Sequence, residues 1–205
     1  MKRWGIFLLL VLGHGALAQE FSQRPLKSDY VYQHQFQFVF DFGIQNGGDR
    51  VGTLYDVNSG ETLDTLRAGG FWQTQFGVQI PLADLPFSLQ VTGGLQYGEL
   101  VSNVNYSKEH FQRKLVEGIL FWHWDRFRFG AGATQHFAPT LSVNPNGPDN
   151  SVRYEFDDAT GLVVEADARY DQNISVGLRG TVISYELAGE EISGNAIGLH
   201  FTYAF

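Results

Sequence analysis

Residues 193–205 read S-G-N-A-I-G-L-H-F-T-Y-A-F, and this stretch constrains the fold more than any other. Odd positions carry Asn195, Ile197, Leu199, Phe201, Tyr203 and Phe205; even positions carry Ala196, Gly198, His200, Thr202 and Ala204. Alternation at period 2 is the signature of a strand with one face in an apolar medium. A strand edge bearing such a face aggregates in water. Inside a lipid bilayer every backbone polar group must be paired, which a strand achieves only in a closed barrel. The expectation is a membrane β-barrel of which residues 193–205 form the last strand.

The other end of the chain points to the same compartment. Lys2 and Arg3 precede an apolar run, residues 4–12, followed by Ala16-Leu17-Ala18. This is the pattern of a secretory signal peptide spanning residues 1–18, cut after Ala18. The run is too short for a membrane anchor, which needs about 20 apolar residues. The chain has no cysteine, which excludes disulfides and thiolate metal sites. Without Lys2 and Arg3, 12 basic residues face 22 acidic ones, a net charge of about −10 that argues against nucleic acid. No later stretch has the length of a transmembrane helix, yet 15% of residues are aromatic.

Residues 19–29 read as a polar periplasmic arm, and 30–205 as the barrel. Strand one, about 30–45, sets Phe36, Phe38, Phe40, Phe42 and Ile44 against Gln35, Gln37 and Asp41. Similar alternation marks strands near 69–82, 87–99, 111–123, 126–137, 159–170 and 174–185. Trp122 and Trp124 suit an interfacial girdle. Residues 46–67 contain two short runs around Asn58-Ser59-Gly60, a hairpin signal. Neither run reaches the roughly 9–11 residues of a spanning strand, so this segment is expected to be an extracellular hairpin projecting beyond the barrel. A ten-stranded barrel is the alternative.

The count is eight, and the connections alternate long and short. Short periplasmic turns, longer outer loops and an even strand number are the rule for outer-membrane barrels. The expected architecture is an all-β, eight-stranded, antiparallel, up-and-down transmembrane barrel with long extracellular loops, the longest at 138–158.

Four features carry a family resemblance: the signal peptide, G-G-D-R-V-G-T-L…T-L-R-A-G-G-F (47–71), F-D-D-A-T-G-L-V-V-E-A (156–166) and L-H-F-T-Y-A-F at 199–205. Together they resemble the small outer-membrane β-barrel proteins of Gram-negative bacteria. The resemblance implies insertion by the barrel-assembly machinery, which would read Phe201, Tyr203 and Phe205. In that family's pattern a Gly stands five residues before the terminal aromatic; here that position holds His200, with Gly198 two residues earlier. It also implies contact with outer-membrane lipid and lipopolysaccharide, a monomer, and no cofactor or metal.

The interior of an eight-stranded barrel is just wide enough for its own side chains. Inward positions include Glu117, Arg128, Glu165, Asp167, Arg179 and His200, acid and base alternating on neighbouring strands. Buried charges are costly unless paired, so these residues are expected to form an ionic network in a lumen filled with polar side chains. A narrow small-solute channel is the competing reading.

Some small outer-membrane barrels modify lipid A, so catalysis has to be weighed. A hydrolytic site of that kind carries His-x-Ser on one strand face, bringing a serine to a histidine base. Only His200-x-Thr202 approximates it, and it falls at the wrong end. His34 is expected in the lower girdle, and His136 inside the barrel near the outer rim. On the outer side, Asp49, Asp56, Glu61, Asp64, Asp149, Glu155, Asp157, Asp158, Glu190 and Glu191 outnumber Arg50, Arg67, Lys108 and Arg153. No ordered cation-ligand spacing is present. The reading is a non-enzymatic envelope protein with a structural or interaction role, its loops open to an extracellular ligand.

Overall fold

The computed structural model describes residues 35–55, 62–101, 108–144 and 151–205. The expected signal peptide and arm, His34, the 58–60 turn and the centres of two loops lie outside them.

Eight strands close into one barrel: β1 (Gln37–Gly47), β4 (Phe71–Pro81), β5 (Phe87–Val101), β6 (Lys108–Trp124), β7 (Phe127–Asn144), β9 (Ala159–Arg169), β10 (Ile174–Val182) and β13 (Ala196–Ala204). Every neighbouring pair is antiparallel, and β13 returns to pair with β1 from Val39↔Ala204 to Gly47↔Ala196. Phe205 N donates to Phe38 O and Phe38 N to Phe205 O, sealing the seam. Five more strands lie at one end: β2 (Arg50–Tyr55) with β3 (Thr62–Arg67), β11 (Ser184–Leu187) with β12 (Glu190–Ser193), and β8 (Val152–Glu155) alongside β7.

The alternation in the sequence is the alternation in space. Phe38, Ile44, Phe76, Leu95, Val116, Leu120, Leu162, Val164, Leu178, Ile197 and Leu199 form an exposed apolar belt. At eleven residues, β9 matches the length of a tilted spanning strand. Aromatic contacts cluster at two levels: Trp122 stacks on Trp124 and Phe38 on Phe205 near the short turns, and Trp72 meets Tyr97 near the hairpins. Two such levels are the girdles of a membrane-spanning barrel.

The short-turn end is made by local chemistry. Asp125 adopts φ +52° in the two-residue β6–β7 connection. Asp171 Oδ1 accepts from the amides of Asn173 and Ile174 (2.8 and 2.7 Å), an Asx turn between β9 and β10.

The hairpin end departs from expectation in two ways. A bulge in β7 sets Lys114 opposite Phe137 and Gln112 opposite Thr140, so two residues, Ala138 and Pro139, face Arg113 alone. Ala138 takes φ +44°. Because a bulge inserts one residue, side-chain parity reverses, and Leu141 and Val143 join the interior although Phe137 faces out. The expected loop at 138–158 therefore begins as seven further residues of strand, with β8 paired to them.

Secondly, the first hairpin does not simply project. Leu66 and Ala68 are buried in an apolar cluster that fills the lumen at this end, with Val51 packed against it. A tight corner fixes the base. Gly48 has φ +76°, a region open to glycine. Asp49 N donates to Ser193 O (2.7 Å), and Asp49 Oδ2 accepts from Ser193 N (2.8 Å). The two hairpins are thereby joined.

Candidate functional site

The lumen has two layers. In the layer nearer the short turns, ladder register brings the charged residues into rows. One row runs Arg128, Asp167, Gly177, His200, Gly43; the next runs Gly130, Glu165, Arg179, Gly198, Gln45. A glycine stands beside the bulky ionic side chains in each row and leaves room for them. At Gly177 a Cβ would overlap the Asp167 carboxylate and the Ala166 carbonyl. Gly177→Ala should therefore cost about 1–3 kcal/mol of stability through overpacking, read as a lower urea midpoint in detergent micelles.

The side chains in these rows are joined. Arg128 donates to Asp167 (2.5 Å), Gln79 (3.1 Å), Gln90 (3.2 Å) and Thr202 (2.8 Å), and its guanidinium carbon lies 4.3 Å from the Phe121 ring centroid. Arg179 donates to Glu165 (2.5 Å) and also to Glu117, whose other oxygen accepts from Gln75 (2.7 Å). His200 hydrogen-bonds Asp167 through Nε2 and lies 3.7 Å from Glu165. Asp41, not among the six residues expected in the network, joins this layer and accepts from Gln90 (2.8 Å). Each of these charged groups is no more than 5% exposed. Glu165, Asp167 and His200 present ligand atoms close enough for a metal ion. Arg128 and Arg179 each hold one oxygen of these carboxylates, and His200 Nε2 is hydrogen-bonded to the other oxygen of Asp167, so a cation there would replace that hydrogen bond.

The layer nearer the hairpins is apolar, which corrects the expectation of a polar lumen throughout. Phe111, Phe156 and Tyr185 meet edge to face, with centroids 5.3 to 6.3 Å apart. Arg113 lies over Phe111 and Tyr185 (4.8 and 5.4 Å) and donates to Gln96 (3.1 Å). Burial raises the pKa of the Tyr185 hydroxyl, with Arg113 opposing, so the group stays protonated. It bonds His136 Nδ1 at 2.7 Å.

Two histidines bear on catalysis. His136, the residue singled out near the rim, is committed to Tyr185. His123 Nε2 lies 2.7 Å from Ser88 Oγ, a pairing across strands that no His-x-Ser spacing within one strand encodes. Its Nδ1 faces Arg169 Nη2 at 2.5 Å. A guanidinium can only donate, so Nδ1 accepts and Nε2 carries the proton toward Ser88. That tautomer cannot deprotonate the serine. His200 and Thr202 are likewise engaged, by Asp167 and Arg128. Of the remaining residues singled out in the sequence, Phe201 is partly buried and Tyr203 and Phe205 are exposed along the outer face of β13.

No family model matches this sequence, and no curated protein matches it. Solved structures do. Neisserial surface protein A is 10% identical, with a TM-score of 0.50 over 83% of this chain and 97% of its own. Ail, the attachment invasion locus protein of Yersinia pestis, crystallised with the heparin analogue sucrose octasulfate, is 10% identical with a TM-score of 0.46 over the same shares. The N-terminal β-barrel domain of Pseudomonas aeruginosa OprF is 10% identical with a TM-score of 0.42, also over those shares. At such identity the likeness to Neisserial surface protein A speaks for the fold alone. Closed eight-strand topology, apolar belt and paired girdles agree with it: this chain has the fold of an eight-stranded transmembrane β-barrel.

Proposed function

We propose that this barrel does not conduct and serves a structural or interaction role at the cell envelope, exercised through its hairpin end. The supporting observation is a lumen filled in both layers. The charges of one layer are paired by Arg128 and Arg179, and the other is closed by Phe111, Phe156 and Tyr185, each no more than 5% exposed. A hydrated path would have to break buried ion pairs and unpack three rings.

The hairpin end faces outward in this reading, because short turns and the Phe38–Phe205 seam occupy the other end, the periplasmic pattern. Glu155, Asp157, Asp158, Glu186, Glu190 and Glu191 are exposed there on β8, β11, β12 and the chain beside them. Such a rim repels polyanions and suits a basic protein surface.

Purified protein reconstituted in planar bilayers is expected to give a flat trace. Steady, resolvable single-channel steps would replace this reading with that of a narrow channel.

A further inference from the structure

Of 14 lysines and arginines in the chain, three line one groove of about 260 Å³ on the barrel wall: Arg113, Lys114 and Arg153. The groove lies where the β7 bulge opens the ladder beside Ala138 and Thr140. Leu95 and Phe137 give it an apolar side, and Trp72 and Tyr97 an aromatic one.

We infer that this groove binds a phosphate of an acylated, phosphorylated lipid in the leaflet on the hairpin side, an assignment that rests on that end facing outward. Lys114 is exposed on the outer wall between Leu95 and Phe137, where an ammonium is costly at the midplane and cheap at headgroup level. The Trp72–Tyr97 pair beside it marks that level, since aromatic belts form at the interface. Arg153 reaches the groove with its Nη2 3.4 Å from Thr140 Oγ1. Its ion pair with Glu155 (3.1 Å) is well exposed and holds it weakly.

Arg113 borders the groove with its guanidinium on the lumen side, over the Phe111 and Tyr185 rings; 2% exposed and with no carboxylate partner among the described residues, it adds positive potential to the wall behind Lys114. A buried cation lacking a counter-ion favours an anion nearby. Phosphate oxygens meet Lys and Arg through charge-assisted hydrogen bonds, while acyl chains would run along Leu95 and Phe137.

Native mass spectrometry of the refolded protein in detergent tests this. The probes are bisphosphorylated lipid A, phosphatidylcholine and inorganic phosphate. The wild type is expected to retain one lipid A and to prefer it over phosphatidylcholine. Lys114→Ala/Arg153→Ala should bind it about tenfold or more weakly, the loss of two charge-assisted contacts. Lys114→Arg/Arg153→Lys should keep most of the affinity. A folded alanine variant that binds as tightly as wild type would overturn the assignment, as would lipid A binding no better than phosphatidylcholine. Inorganic phosphate competing at equal concentration would assign the site to a free anion and overturn the lipid. Orientation is read separately, by labelling Glu190→Cys in intact cells with an impermeant maleimide. Failure to label before permeabilisation would overturn the outward reading whatever the binding experiment returns.

Discussion

Replacing Arg179 by methionine will destabilise the folded barrel by about 3–5 kcal/mol, the usual cost of removing one partner from a buried ionic cluster. Arg179 serves two acids on different strands, Glu165 on β9 and Glu117 on β6, and both carboxylates are sealed from solvent. Without it, one layer of the lumen holds two unneutralised carboxylates beside Asp167 and Asp41. The urea midpoint in micelles and the heat at which the gel mobility shift is lost should both fall. Arg179→Met/Glu117→Gln/Glu165→Gln removes the orphaned charges together and should recover much of the loss, because isosteric neutral cores are often as stable as ionic ones. A single variant that unfolds like wild type would mean that Arg179 does not hold this layer together.

The charged layer was legible in the sequence because polarity and parity are enough to read it. In a strand, Glu165 and Asp167 fall on the face opposite Val164 and Ala166, and Arg179 opposite Leu178. Period 2 thus assigns them inward without knowledge of their partners. Which carboxylate meets which guanidinium depends on ladder register between strands far apart in sequence, and periodicity within one strand carries no register. Asp41 is inward by the same parity, but its neighbours on that face are glutamines, so nothing within its own strand marks it as part of a charged cluster. The apolar layer was hidden for another reason. Parity reverses at Ala138–Pro139, so Leu141 looks like part of a loop although it packs inside. Tyr185 follows Ile183 inward across the break between β10 and β11, in step with Thr181. The pairing of Ser88 with His123 is a cross-strand contact, again a matter of register. Glycine is the local trace of this packing: Gly177 and Gly198 face inward beside charged neighbours, and Gly194 would meet the Tyr185 ring if it carried a Cβ.

Tyr185→Ala will have the other large effect, about 3–5 kcal/mol, the range for truncating a buried aromatic ring. The ring touches Phe111 and Phe156, lies within cation–π reach of Arg113, and ties β11 to β7 through His136. Removing it takes the hydroxyl from His136 and leaves a cavity among side chains held by two hairpins and the extended part of β7. The loss should therefore be local. Hydrogen exchange ought to quicken across β11, β12 and the base of β2–β3, while amides in the rows of Arg128 and Arg179 stay protected. Tyr185→Phe separates the two contributions: it keeps the ring, loses only the hydroxyl bond, and should cost about 0.5–1.5 kcal/mol. Neither variant should conduct in planar bilayers, because the ionic layer still blocks the lumen. Conductance in Tyr185→Ala would show instead that the aromatic cap is the sole barrier and that the charged rows are permeable once it is gone.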